Sequence, residues 1–375
     1  MKRLLLFAIL LSAVSCVYDY ENPAIEGAGQ SLVFDGDIVI GSRAKLSVSR
    51  ITPTSGEETA EAVILTDWWV EDEDGTVYNV DETGTADMSW ASSDKSYKMV
   101  AKCDGKTYSS PLQAPIKAPQ LDSLVFTSDG NTVYCNISFQ TDTTVSKYVA
   151  LSFEERWKFH ALFQKTFNLL PVYNEDSTEV VSYNVVEMDF PDLSHYWCWT
   201  HRKATTDALV EMSSLGGNAI NFPINMFSTT SNRNHGQYQI KVIARSLSET
   251  EYRFSHSLAS QDGGLNLFTP NPGEIVGNVV CEDNPKEHVF GYVSTSSSSS
   301  ITRNLNSRYL KITTPSTSDL IVPSPTVEMS WYIDLGLWPV ARIATIDGNP
   351  VGWGEMRCID CIAAGGTLEM PNFSE

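Results

Sequence analysis

Tyr238-Gln-Ile-Lys-Val-Ile-Ala244 places an apolar residue at every second position. That period suits a strand buried on one face, and its branched side chains resist a helix. Arg245-Ser-Leu247 leads into Ser248-Glu-Thr-Glu251, a capping-box pattern. The Ser248 hydroxyl is placed to accept a free amide of the first turn, and the Glu251 carboxylate to reach back to the Ser248 amide. A helix is therefore predicted from Ser248, with Leu247, Phe254 and Leu258 as a narrow apolar face and Asp262-Gly-Gly264 as its stop. Beyond the proline loop Phe268-Thr-Pro-Asn-Pro272, alternation resumes in Ile275-Val-Gly-Asn-Val-Val280. Asn284-Pro285 then turns the chain into a returning strand, Val289-Phe-Gly-Tyr-Val293.

Strand, capped helix, proline loop and returning strand, in this order, resemble the C-terminal half of the family catalogued as domain of unknown function 4249. The likeness rests on Ser-Leu-Ser-Glu-x-x-Tyr (Ser246 to Tyr252), Asn271-Pro272, Gly277-Asn278-Val279, Asn284-Pro285 and Gly291-Tyr292. Its members are exported lipoproteins of diderm bacteria without an established biochemical activity. Their genes often lie beside those for TonB-dependent outer-membrane transporters, so the resemblance implies such a transporter as partner.

Upstream, residues 1–16 read as a lipoprotein signal. Lys2 and Arg3 begin it, Leu4 to Leu11 form the apolar run, and Ala13-Val-Ser15 leads to Cys16, the expected acylation site. Eight apolar residues are too few to span a bilayer, and no later stretch is long enough. Residues 17–30 form a polar tether, in which Asp19 and Glu21 accompany either outer-face display or a plain acidic linker. The expected location is the outer membrane, lipid-anchored and facing either the periplasm or the cell surface.

Formal charge is −20 over 375 residues, and losing Lys2 and Arg3 with the signal makes it −22. Nucleic acid is excluded as a partner, because phosphates need a basic surface. Adhesion to anionic lipid is equally disfavoured, which leaves the acyl chain as the membrane anchor.

A mainly β fold is predicted, with an immunoglobulin-like sandwich at 31–118. Leu32-Val-Phe34, Asp37 to Ile40 and Ala44 to Ser49 are short strands with Gly36 and Gly41 breaking them, and Trp68-Trp-Val70 follows. Asp74-Gly75 and Asp104-Gly105 are hairpin turns. Pro111, Pro115 and Pro119 mark a linker into a larger fibronectin-like β domain at 119–345. It carries the one short capped helix and, near 159–192, a looser segment read as a helical or irregular insertion. A serine run, Ser296 to Ser300, reads as an exposed strand or strand end, and 304–327 as irregular linking sequence. Residues 346–375 form a cysteine-containing tail.

Six cysteines remain besides Cys16, enough for fifteen full pairings. Cys358-x-x-Cys361 before Gly365-Gly-Thr367 resembles the family's C-terminal signature. An exported protein permits a structural disulfide there, within the pair or outward to a partner such as Cys198. A redox pair would need a βαβ setting with the first cysteine opening a helix, and zinc would need two further ligands. Asp72, Asp74, Asp81 and Glu82 lie around hairpin turns but lack the regular calcium-loop spacing. The six histidines show no paired-ligand motif, and neither a nucleophile elbow nor a phosphate-binding glycine loop occurs. No catalytic residue, metal or cofactor is assigned. Trp68, Trp69 and Trp157 are the candidate ligand or partner contacts, set against burial in the sandwich.

The expected function is that of a non-catalytic accessory lipoprotein binding a nutrient or a partner. A free-standing structural or adhesive surface protein is the alternative, and a thiol-disulfide activity at Cys358 and Cys361 the weakest third.

Overall fold

The structure is a computed structural model that describes residues 31–54, 57–65, 67–144, 146–262, 277–305, 320–324, 326–345 and 350–373. The expected signal at 1–16 with Cys16, the tether at 17–30, the loop at 268–272 and Asp347-Gly348 lie outside the described residues, as does most of 304–327.

The first half pairs two sheets. β1 (Ser31–Ile40), β2 (Arg43–Thr54), β3 (Glu57–Ala62) and the short β6 (Thr85–Asp87) form one layer; β4 (Trp68–Asp72), β5 (Val77–Asn79), β7 (Tyr97–Cys103) and β8 (Lys106–Ser109) form the other. Alternate side chains from both meet in a core that holds Phe34, Ile38, Leu46, Val70, Tyr97 and Met99. The two predicted turns are present: Gly75, Asp104 and Gly105 all take positive φ, as tight hairpin turns require. Gly36 does not break a strand. It lies inside β1, where a Cβ would meet the Leu46 side chain at 2.3 Å, so glycine is there for close packing.

The second half repeats the two-layer plan. β9 (Gln120–Ser128), β10 (Thr132–Gln140) and β16 (Asn218–Ser228) face β11 (Tyr148–His160), β14 (Trp197–Lys203), β15 (Ala208–Glu211) and β17 (Tyr238–Leu247). Cys135, Ile137, Leu151, Ile240 and Val242 fill the space between.

What fuses the halves is a single strand. After β18 (Val280–Cys281) joins the first half beside β8, β19 (Phe290–Asn304) runs for 15 residues. Its first part pairs parallel with β1, from Val33↔Phe290 to Ile40↔Ser297, and its second part antiparallel with β17, from Arg245↔Ser298 to Gln239↔Asn304. One sheet thus runs through both halves, and the serine run is a strand whose burial fades along it: Ser296 is almost inaccessible, like Ser294 and Thr295 before it, Ser297 to Ser299 are half-buried and Ser300 is exposed. The linker crosses this strand, and serine hydroxyls satisfy its backbone. Ser297 Oγ donates to Ile116 O at 3.0 Å and Ser299 Oγ to Pro119 O at 2.7 Å.

The segment at 159–192 is neither helical nor irregular. It folds into an antiparallel hairpin, β12 (Lys165–Tyr173) and β13 (Val180–Asp192), with its turn tied by Asn174 to Thr178 and Glu179. Val180-Val181, Val185-Val186 and Tyr183 supply the branched and aromatic residues of a strand, while scattered polar positions hide the period. Leu169 and Val185 pack on a small C-terminal unit of α2 (Met329–Asp334), β20 (Leu337–Arg342) and β21 (Val351–Glu355) around Tyr332 and Trp353. The capped helix, α1 (Glu249–Asp262), lies across the junction of the two halves.

Candidate functional site

Strand β17 ends and helix α1 begins within two residues, and this corner gathers charged and hydroxyl side chains from several parts of the fold. Ser248 Oγ accepts the Glu251 amide at 3.0 Å, as the cap predicts. The Glu251 carboxylate does not turn back to Ser248. It pairs with Arg245, the residue that β17 points into the junction. Arg245 also reaches Asp37 at 3.0 Å and, more distantly, Asp207 at 3.8 Å, so one guanidinium gathers carboxylates from three separate parts of the chain. Burial opposes the charge of Arg245, yet the surrounding carboxylates outweigh it and hold the group protonated. Burial pushes the Glu251 carboxyl up, and Arg245 offsets part of that rise.

In front of this pair lies a cleft of about 750 Å³. The linker residues Gln113, Ala114 and Ile116 make one wall, the first turns of α1 the other, and Asn278, Tyr292 and Thr295 the floor. Three hydroxyls meet at its edge: Tyr292 lies 2.8 Å from Thr250 and 3.2 Å from Ser248, which is 3.0 Å from Thr250. The buried Thr295 hydroxyl has no hydrogen-bond partner among the described residues. The floor is rigid, because the Asn278 amide bonds both backbone groups of Val293, at 2.7 and 2.8 Å, like a neighbouring strand. Glycine is required beneath it. Gly291 has φ +97°, and a Cβ there would lie 1.8 Å from Phe34 O. A Cβ on Gly277 would come 2.2 Å from Gly291 O.

Helix α1 is clamped to both halves. Tyr252 stacks on Tyr148 of β11 at 4.2 Å, and Phe254 packs on Tyr292 of β19 at 5.4 Å. Leu258, read from its spacing as part of the apolar face, is exposed instead, so the face is shorter than predicted. The motif residues Ser248, Glu251, Gly277, Asn278, Gly291 and Tyr292 therefore build one joint and its cleft. Their mutual proximity is not visible in the sequence, nor is the role of Arg245, whose partners stand as far away as Asp37.

The tryptophans singled out from sequence are not brought together. Trp68 lies in the first core and Trp157 in the second, where its Nε1 donates to Asn232 at 3.1 Å under the Arg233 guanidinium. Trp69 is half-buried, with Lys102 5.4 Å from its ring centre. Cys198 and Cys361 form a disulfide that ties the tail to β14, while Cys358 remains a half-buried thiol. Asp72 and Asp81 serve their turns: Asp72 accepts from the Asp74 and Thr76 amides, and Asp81 from those of Thr83 and Thr85. Among the described residues, no group of three or more acidic, histidine or cysteine side chains is arranged to hold a metal ion, and no helix is long and apolar enough to cross a membrane.

The family model described as Domain of unknown function (DUF4249) matches residues 18–302, a span that contains the whole joint. No curated protein and no solved structure matches the chain.

Proposed function

The chain belongs to the family described as Domain of unknown function (DUF4249), and from that premise we propose that it is a non-catalytic, lipid-anchored outer-membrane protein that holds a small ligand in the junction cleft as accessory to a TonB-dependent transporter. The observation that carries this reading is the cleft itself, walled by family-motif residues and braced from behind by Arg245. Its carboxylate, Glu251, is committed to that arginine and is therefore poorly placed as a free base. What the cleft offers is hydroxyls, amides and the apolar surfaces of Ile116, Phe254 and Tyr292, a combination suited to recognition. Once the hydroxyls of Ser248, Thr250 and Tyr292 satisfy one another, lone pairs remain while their protons are used. A ligand bringing O–H or N–H donors on an apolar frame matches that surplus. The anchor and the location rest on the sequence around Cys16, and the transporter on the family resemblance.

Purification through a C-terminal tag in mild detergent tests the whole reading, with mass spectrometry of co-purifying polypeptides and of small molecules released on denaturation. The expected result is a transporter near one-to-one, with a bound molecule that is lost from Ala114→Trp, which fills the cleft from its exposed wall. Recovery of the protein alone and empty overturns it.

A further inference from the structure

The β12–β13 hairpin belongs to neither sandwich, and each of its strands has a single neighbour among the described residues. A two-stranded hairpin is marginal in water unless a face is covered. Here Leu169 and Val185 cover one face against the C-terminal unit. By strand alternation the opposite face carries Leu170 and Val186, and the register slips between Phe167↔Glu187 and Lys165↔Asp192, so Met188 to Pro191, with Phe190 among them, bulge out of the ladder. Leu170 and Val186 are exposed, and Phe190 is 82 % exposed. Beyond this row, the outer edge of the 13-residue β13 bonds to no other strand among the described residues.

Proteins blunt such edges with prolines and charges, and Pro171, Pro191 and several acidic residues are present. Blunting does not call for a phenylalanine held out in solvent. Charge points to what would cover it. Glu187 is paired with Arg342 and Asp192 with Lys165, but Glu175, Asp176, Glu179 and Asp189 have no ion-pair partner among the described residues. Asp189 adjoins Phe190, and Glu175, Asp176 and Glu179 lie in the turn at the other end of the hairpin. All four repel anionic lipid and attract lysine or arginine.

We propose that the outer face and free edge of this hairpin form a protein-docking surface, whose partner presents an apolar strip bordered by lysine or arginine and an extended segment that pairs along β13. Main-chain pairing would supply affinity, the apolar row the desolvated centre, and the acidic rim the orientation. This surface is separate from the cleft and does not depend on what the cleft holds.

The test uses the full lipid-anchored chain in native membranes with the photo-cross-linker benzoylphenylalanine at Phe190, at Val186 and, as a control on β16, at Ile220, which is 78 % exposed. Positions 190 and 186 are expected to give an adduct with the same protein, with the cross-linked peptide mapping to an apolar segment flanked by basic residues. Joint replacement Glu175→Lys, Glu179→Lys and Asp189→Lys is expected to cut that adduct by about tenfold while the melting temperature stays unchanged. Lipid adducts alone, adducts with a second copy of this chain, equal yield from Ile220, or indifference to the charge reversal would each overturn the proposal. A transporter recovered by the C-terminal tag without any hairpin adduct would sink this surface and leave the accessory reading standing. A hairpin adduct with a basic-bordered protein other than a transporter would do the reverse.

Discussion

Arg245 and Glu251 stand six residues apart at the two ends of one corner, and their ion pair locks strand β17 of the second half to the helix that starts beside the first. The guanidinium is 17 % exposed and the carboxylate 6 %. Removing one member of a pair this buried leaves the other uncompensated, which costs more than the pair itself contributes. Arg245→Met is therefore expected to destabilise the protein by about 3 kcal/mol in urea unfolding. Arg245→Met/Glu251→Leu should recover a large part of that loss. A double variant no more stable than the single one would mean that the other carboxylate, Asp37, is the important partner.

A second buried carboxylate sets the acid limit. Glu155 is fully buried and accepts from Arg233 at 2.6 Å and Tyr238 at 2.6 Å, with Arg202 at 2.7 Å. Burial works to raise its carboxyl, and the two arginines with Tyr238 overcome this and hold it below the ordinary 4.5. A carboxyl depressed by folding stabilises the folded state above the unfolded value and loses that contribution as pH falls through the folded one. Thermal midpoints should accordingly drop below about pH 4.5, and Glu155→Gln should start lower at neutral pH and show a shallower acid drop. Parallel acid profiles for the two proteins would remove Glu155 from the account.

The tail disulfide closes a loop between positions 163 residues apart. Chain-entropy arguments give such a closure roughly 3–5 kcal/mol. Cys198→Ser and Cys361→Ser should each lower the thermal midpoint by several degrees, and Cys358→Ser should change it little. A non-reducing peptide map checks the pairing directly: a Cys358–Cys361 peptide would contradict the structure.

Local signals carried the strands, the hairpin turns and the Ser248 cap, because each depends on neighbours within a few residues. The alternation of β17 and the positive-φ glycine turns appear where their patterns stand. The joint was illegible for the opposite reason. Asp37, Asp207, Arg245 and Glu251 meet only after two halves fold, and the Glu251 that the capping-box pattern turns toward Ser248 pairs instead with Arg245, six residues back on β17. The serine run lacks apolar residues, so its partial burial shows only once the linker backbone is seen to need its hydroxyls. The insertion hid its period because its solvent side also carries apolar residues such as Leu170 and Val186, and because the register slips at Met188 to Pro191.

The seam between the halves offers the sharpest test of the fold. β1 and β19 approach so closely at Gly291 that a methyl group would overlap Phe34 O, and the backbone there has φ +97°. Gly291→Ala must strain the backbone and push β19 away from β1, at the one strand shared by both cores. Gly41 also has positive φ, +81°, but nothing lies within 4 Å of where its Cβ would be. Gly41→Ala should therefore cost only the conformational penalty, about 1 kcal/mol. Gly291→Ala should cost at least about 3 kcal/mol or abolish soluble expression, and the two urea midpoints compare them. Equal losses would place the strain in the backbone angle alone and remove the tight β1–β19 contact as the reason for glycine.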